Sequence, residues 1–285
     1  MPSKRLRVAS RPPIDADAPA APGSGLFGLD TPPEAAEVVV IPVPFEATAS
    51  YGSGASRAPA AILKASHQVD LFDREHGRPY EAGIAMLPVS RRIQRLSNEA
   101  KQVAGPVIKR GGPDPSKAQH SRAIAKVDAA GDMVNDWLRA KAKSHLDAGQ
   151  LVGVLGGDHS APFGLIAELA ERHPAMGILH VDAHADLRLA YQGFTWSHAS
   201  IMRNVLERLR GVAKLVQLGV RDFGEGELAY MEQAGRRLRC YFDADVKRQL
   251  LSGANWDGIA RDAIEQLPAE VYVSLDIDGL EPSLC

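Results

Sequence analysis

The second half of the chain alternates short, mostly apolar runs with helical patterns, and this rhythm constrains the fold more than any other feature. Strands are read over 151–155, 176–181, 215–220, 238–242 and 271–276. Helices are read between them over 161–171, 198–210, 225–234 and 257–266. A strand apolar at every position is buried on both faces, and parallel neighbours need crossovers long enough to hold a helix. The pattern predicts an α/β fold, a three-layer α/β/α sandwich around a mostly parallel sheet.

The first half is less regular. Residues 38–43 (Val-Val-Val-Ile-Pro-Val) read as a buried strand, 44–58 as a Gly- and Ser-bearing loop, and Pro59 as a helix start. Residues 90–115 read as polar and irregular, broken at Gly111-Gly112-Pro113. Ile124, Val127, Val134, Leu138 and Leu146 recur at helical spacing over 116–146, and Gly149 closes that helix. Residues 1–36, rich in Pro, Ala, Gly and Asp, read as a poorly ordered arm, and 37–285 as one α/β domain. A net charge of −2 gives no electrostatic reason to expect nucleic acid or an acidic membrane surface. The two cysteines, Cys240 and Cys285, fit no zinc or disulfide framework. Lys4, Arg5 and Arg7 precede no apolar core of a secretory signal, so a cytoplasmic location is expected.

Three of the strands end in chemistry. Gly156-Gly157-Asp158-His159-Ser160 follows the first run, Asp182-Ala183-His184-Ala185-Asp186 the second, and Asp276-Ile277-Asp278 closes the last. Ligands of an open α/β sheet bind beyond the carboxyl ends of its strands. Residues two apart on extended chain point to the same side, so Asp182, His184 and Asp186 can converge, as can Asp276 and Asp278. Imidazole and carboxylate ligands with no thiolate nearby suit manganese, and clustered carboxylates need a cation to neutralise them. Two such ions about 3.5–4 Å apart lower the pKa of a shared water. Each string alone also has an ordinary reading: Asp158 or Ser160 as a helix cap, a lone Asp-x-Asp as a solvated loop. His180 reads either as a packed core residue or as a group orienting Asp182. His67, His76, His120, His145 and His173 read as surface or structural.

Together the strings resemble the ureohydrolase (arginase/agmatinase) family, whose members hydrolyse a guanidino group to urea and an amine. The likeness runs from about Val38 to the end of the chain. It implies an arginase/deacetylase-like fold and two Mn2+ per chain. His159, Asp182, Asp186 and Asp276 would hold one ion, and Asp182, His184, Asp276 and Asp278 the other, with Asp182 and Asp276 shared. It also implies that Asp186 passes a proton to the leaving nitrogen and that His198, in Trp196-Ser197-His198-Ala199-Ser200, relays protons to solvent. A homo-oligomer, trimer or hexamer, is implied too.

The stretch 187–195 (Leu-Arg-Leu-Ala-Tyr-Gln-Gly-Phe-Thr) lacks the Asn and the Thr/Ser-rich pattern with which arginases grip an α-amino acid. It looks like the agmatinases, as do 51–59, 68–73 and 218–222. The expected small-molecule substrate is therefore agmatine, giving putrescine. Arginine, guanidinobutyrate and formimidoylglutamate are the alternatives, and Arg188 reads as a structural ion-pair partner. Family members continue past Asp-x-Asp-Gly-Leu-Glu-Pro, whereas this sequence stops seven residues after Asp278. The expectation is a domain lacking its C-terminal part, with an exposed apolar edge at 271–276. A non-catalytic short form and a one-metal deacylase on the related fold are the rivals.

Overall fold

The computed structural model describes residues 14–280, and in it the expected rhythm takes shape as seven strands. They are β1 (Val38–Val43), β2 (Ile84–Met86), β3 (Leu151–Gly156), β4 (Met176–Val181), β5 (Val212–Val220), β6 (Leu238–Phe242) and β7 (Val271–Leu275). All pairings between them are parallel, in two sheets of order β2-β1-β3 and β6-β5-β4-β7. Eight helices are described: α1 (Ala58–Ser66), α2 (Arg91–Arg110), α3 (Ala118–Asp147), α4 (Phe163–Arg172), α5 (Ile201–Arg208), α6 (Glu225–Ala234), α7 (Asp243–Leu251) and α8 (Trp256–Glu265).

Strand alternation decides what each face buries. Ile178 and Leu215 face α4, α5 and α6 in one cluster with Ile166, Met202, Val205 and Tyr230. Their neighbours Leu179 and Val216 face the opposite way, against Val246 of α7 and Ile259 and Ala263 of α8. In the smaller sheet, Ile41, Val43 and Val152 lie against Ile93, Ala104, Val107, Val134 and Leu138 of α2 and α3. Helices thus cover both faces of a parallel sheet, as the apolar runs required.

Three details differ from the sequence expectation. Residues 90–115 are not irregular: 91–110 form α2, capped by Ser90, whose side chain accepts from the Ile93 amide. Its buried stripe is Ile93, Ser97, Ala100, Ala104 and Val107, at helical spacing but mostly small, so it carries little apolar signal. The short helix α7 and the short strand β2 were also absent from the sequence reading. Within the expected arm, residues before 14 lie outside the described residues, but 24–36 are packed. Leu26, Leu29 and Ala36 are buried, and Ala36 clusters with Val39 of β1 and Ala85 of β2. Pro and Gly there set turns that fold the segment onto the sheet rather than leaving it loose. On β7, Val271, Val273 and Leu275 are exposed while Ser274 between them is buried. Among the described residues no helix is long and apolar enough to cross a membrane.

Candidate metal centre

The carboxyl ends of β3, β4 and β7 bring the six expected side chains to one place. After β3 the chain turns through Gly157, where a Cβ would lie 1.9 Å from the Phe45 carbonyl oxygen. Only glycine allows that approach, and the next amide, Asp158, donates to the same oxygen at 3.0 Å. This fixes His159 over the sheet. Its Nε2 lies 2.8 Å from Ser274 Oγ, while its Nδ1 lies 2.9 Å from Asp182 Oδ2, 3.0 Å from Asp186 Oδ2 and 3.3 Å from Asp276 Oδ2. None of these three contacts has hydrogen-bond geometry, so a buried ring nitrogen faces three carboxylate oxygens without a bond to any.

Asp182 faces both ways. Its Oδ2 belongs to the group around His159, and its Oδ1 accepts from the His184 amide at 2.7 Å and lies 3.4 Å from His184 Nδ1. His184 Nδ1 is also 3.1 Å from Asp278 Oδ2. Two ligand groups result: His159, His180, Asp182 and Asp186, with Asp276 beside them, and Asp182, His184 and Asp278.

Simple alternation does not produce this geometry. Asp186 has φ of +54°, a left-handed conformation that Asp tolerates better than most residues. It turns the Asp186 carboxylate towards His159, while His184 goes the other way to Asp278. Asp276 and Asp278 likewise sit on a short 3-10 turn, Ile277–Gly279, in which the Asp276 side chain accepts from the Asp278 amide. A Cβ at Gly279 would lie 2.9 Å from the Asp182 nitrogen, so glycine lets that turn rest against the Asp182 backbone.

The electrostatics are those of a cradle for positive charge. Burial opposes ionisation of Asp182, but the imidazoles of His159, His180 and His184 outweigh it and hold the carboxyl far below the usual range. Burial pushes Asp186 up. Burial disfavours the charged form of His159, yet Asp182 and Asp186 more than offset it and hold the imidazole well above its ordinary value. The Asp182 and Asp278 carboxylates beside its ring push His184 up to about 11. Without a cation, the imidazoles must act as counter-charges, which marks a site built around clustered anions. The orphaned Nδ1 of His159 and the all-oxygen-and-imidazole donor set fit hard or borderline divalent ions.

His198 lies outside both groups. Its Nδ1 is 3.4 Å from Ser197 Oγ, its ring meets Tyr191 edge-on at 5.7 Å, and its Nε2 makes no hydrogen bond to any described residue. It is close enough to Asp158 for its charge to lower that carboxyl, whose pKa burial raises overall. Asp158 does not cap α4; its Oδ1 accepts from the Ser160 amide and hydroxyl, and its buried Oδ2 has no partner among the described residues. Arg188 sits 3.5 Å from buried Glu227 and over the Tyr191 ring, an ion-pair partner rather than a free cation. Sequence reasoning passed over Ser274 and Gln217. Both carried a signal: each is a lone small or amide polar residue inside an otherwise apolar strand, and Ser274 lies two positions before Asp276.

Comparison with known proteins identifies the family. Residues 36–285 match the family model described as Arginase family. An N(1)-aminopropylagmatine ureohydrolase of Thermus thermophilus is 36% identical over 262 residues, 91% of this chain and 73% of that protein. The agmatinase of Bacillus anthracis is 28% identical, over 88% of this chain and 70% of its own length. Among solved structures, the agmatine ureohydrolase of Thermoplasma volcanium superposes with a TM-score of 0.64 at 23% identity, over 88% of this chain and 70% of that one. The proclavaminate amidino hydrolase of Streptomyces clavuligerus gives the same TM-score at 21% identity, over 94% and 77%. With a family model spanning nearly all of it and a relative above one-third identity, the chain belongs to the arginase family of hydrolases.

Proposed function

We propose that this chain is a binuclear manganese ureohydrolase acting on agmatine, releasing urea and putrescine. The observation that carries the proposal is the buried His159 Nδ1, facing three carboxylate oxygens within 3.3 Å and bonded to none. One ion would be held by His159, Asp182, Asp186 and Asp276, the second by Asp182, His184, Asp276 and Asp278. Bound there, the pair would lower the pKa of a shared water so that it can attack a guanidino carbon at neutral pH. Asp186, beside that position and raised by burial, would carry a proton to the departing amine nitrogen. His198, half-buried with its Nε2 free of partners among the described residues, would exchange protons with solvent.

The amine substrate rests on the stretch 187–195, which lacks an α-amino-acid grip, and on relatives named for agmatine and its N(1)-aminopropyl derivative. The 36% identity to the Thermus protein makes the aminopropyl derivative the second candidate. A cytoplasmic location and assembly into trimers or hexamers belong to the same proposal. Urea release from agmatine, N(1)-aminopropylagmatine, guanidinobutyrate and arginine, with manganese added back after chelation, tests it. Turnover of the two amines that requires manganese and is lost in Asp276→Ala is expected. Turnover independent of metal, or preference for arginine, would contradict it.

A further inference from the structure

Behind Asp182 lies a chain of hydrogen bonds that none of the six ligands explains. Gln217 lies within β5 and His180 is the penultimate residue of β4, adjacent across the parallel pairing, and both are wholly buried. Gln217 Nε2 is 2.7 Å from the Ala185 carbonyl oxygen and 2.9 Å from His180 Nδ1. His180 Nε2 is 2.8 Å from Asp182 Oδ2.

The direction of this chain is dictated by its far end. A carbonyl can only accept, so the Gln217 atom facing Ala185 must be the amide nitrogen. That nitrogen has a second hydrogen, and it is aimed at His180 Nδ1. His180 Nδ1 therefore accepts, and the ring proton sits on Nε2, from which it is donated to Asp182 Oδ2. Among the described residues, Gln217 Oε1 is left buried without a partner. An unpaired buried carbonyl is unfavourable, so the amide is placed for its two donors rather than for its own satisfaction.

The receiving end matters as much. Asp182 Oδ2 faces His159 and Oδ1 faces His184 and its amide. A donor on Oδ2 from below and another on Oδ1 from the His184 amide stop the carboxylate rotating, with one oxygen turned to each ligand group. We infer that Gln217 and His180 are positioning residues: together they fix one imidazole tautomer and thereby hold Asp182 as the ligand shared by two cations. This rests on the binuclear reading above. Outer partners of metal ligands commonly change metal affinity by about 10–100-fold.

The test is manganese affinity of the whole chain, measured by competition with a chelator, in the unsubstituted protein and in Gln217→Met. Methionine keeps the bulk of the side chain and removes both donors. A loss of about 10–100-fold in affinity, with a folded cation-free protein by circular dichroism, is expected. Unchanged affinity in a folded variant would overturn the inference. Should Gln217→Met fail to fold, the 15N imidazole spectrum of the unsubstituted protein decides. His180 must show a protonated Nε2 and an unprotonated Nδ1, and the opposite tautomer overturns the inference. If the unsubstituted protein itself binds no manganese, the binuclear reading fails instead, and the spectrum still reports on the tautomer.

Discussion

The two halves of the centre use the same chemistry in unlike surroundings. Around His159 the side chains are almost sealed: His159 keeps 7% of its side-chain exposure, Asp186 5% and Asp182 1%. Around His184 the site is open, with His184 at 47% and Asp278 at 39%. Low dielectric strengthens each charge interaction in the closed half, and water screens those in the open half. The closed half is also pinned from behind, by Ser274 on His159 and by His180 on Asp182. In the open half Asp278 Oδ1 accepts from the Ala183 amide at 3.2 Å, and exposed Asp222 lies 3.8 Å from His184 Nε2. The lesson is that one set of candidate ligands can combine a closed half and an open half.

The largest expected effect comes from the residue the halves share. Asp182→Ala should remove both ions from the purified protein, measured by elemental analysis, and abolish urea release. Retention of one ion would show that the halves are independent.

The next comparison sets His159→Ala against His184→Ala in cation-free protein. Deleting one member of a buried charged cluster costs about 3–5 kcal/mol. Deleting a member of a half-exposed cluster costs about 0–1 kcal/mol. Denaturant midpoints should therefore fall steeply for His159→Ala and hardly for His184→Ala. Equal losses would erase the contrast between closed and open halves.

A third contrast comes from pH. Both imidazoles are raised above the ordinary value of 6.5 without a cation, His184 to about 11. A raised folded pKa gives stability that is complete below the unfolded value and is lost as pH rises through the folded one. Cation-free protein should lose stability from about pH 6.5 upward, most of it through buried His159. Ligation needs neutral imidazole, so manganese should bind more tightly over the same range and release protons. Calorimetry in two buffers of different ionisation enthalpy measures that release; none at pH 7 would contradict the protonated imidazoles.

The arrangement was legible in the sequence to the extent that it rests on period and on residue type. Strand runs over 176–181 and 238–242 and the helix over 225–234 follow from apolar patterning, and the grouping of the six candidate ligands follows from their places at strand ends. What was not legible depends on tertiary structure. The stripe of α2 is built mostly from Ala and Ser, which bury well only because α3 lies close against them. The left-handed turn at Asp186 sends neighbouring ligands to opposite halves, and extended-chain alternation cannot express it. The role of Gln217 needs Ala185 and His180 in contact, and those are 32 and 37 residues away along the chain.

The smallest expected effects refine the same contrast. Ser274→Ala removes the partner of His159 Nε2 and should cost about 0.5–1.5 kcal/mol of stability. Its affinity loss should be confined to the closed position. Asp222→Asn, on the open side, should leave affinity and stability unchanged. Chelator competition and thermal melts on the two variants separate them.

The most direct measurement is anomalous X-ray scattering from crystals of the protein grown with manganese. Two peaks about 3.5–4 Å apart are predicted, one against His159 and Asp186 and one against His184 and Asp278, with Asp182 touching both. A single peak, no peak, or manganese bound away from these six side chains would contradict a binuclear centre.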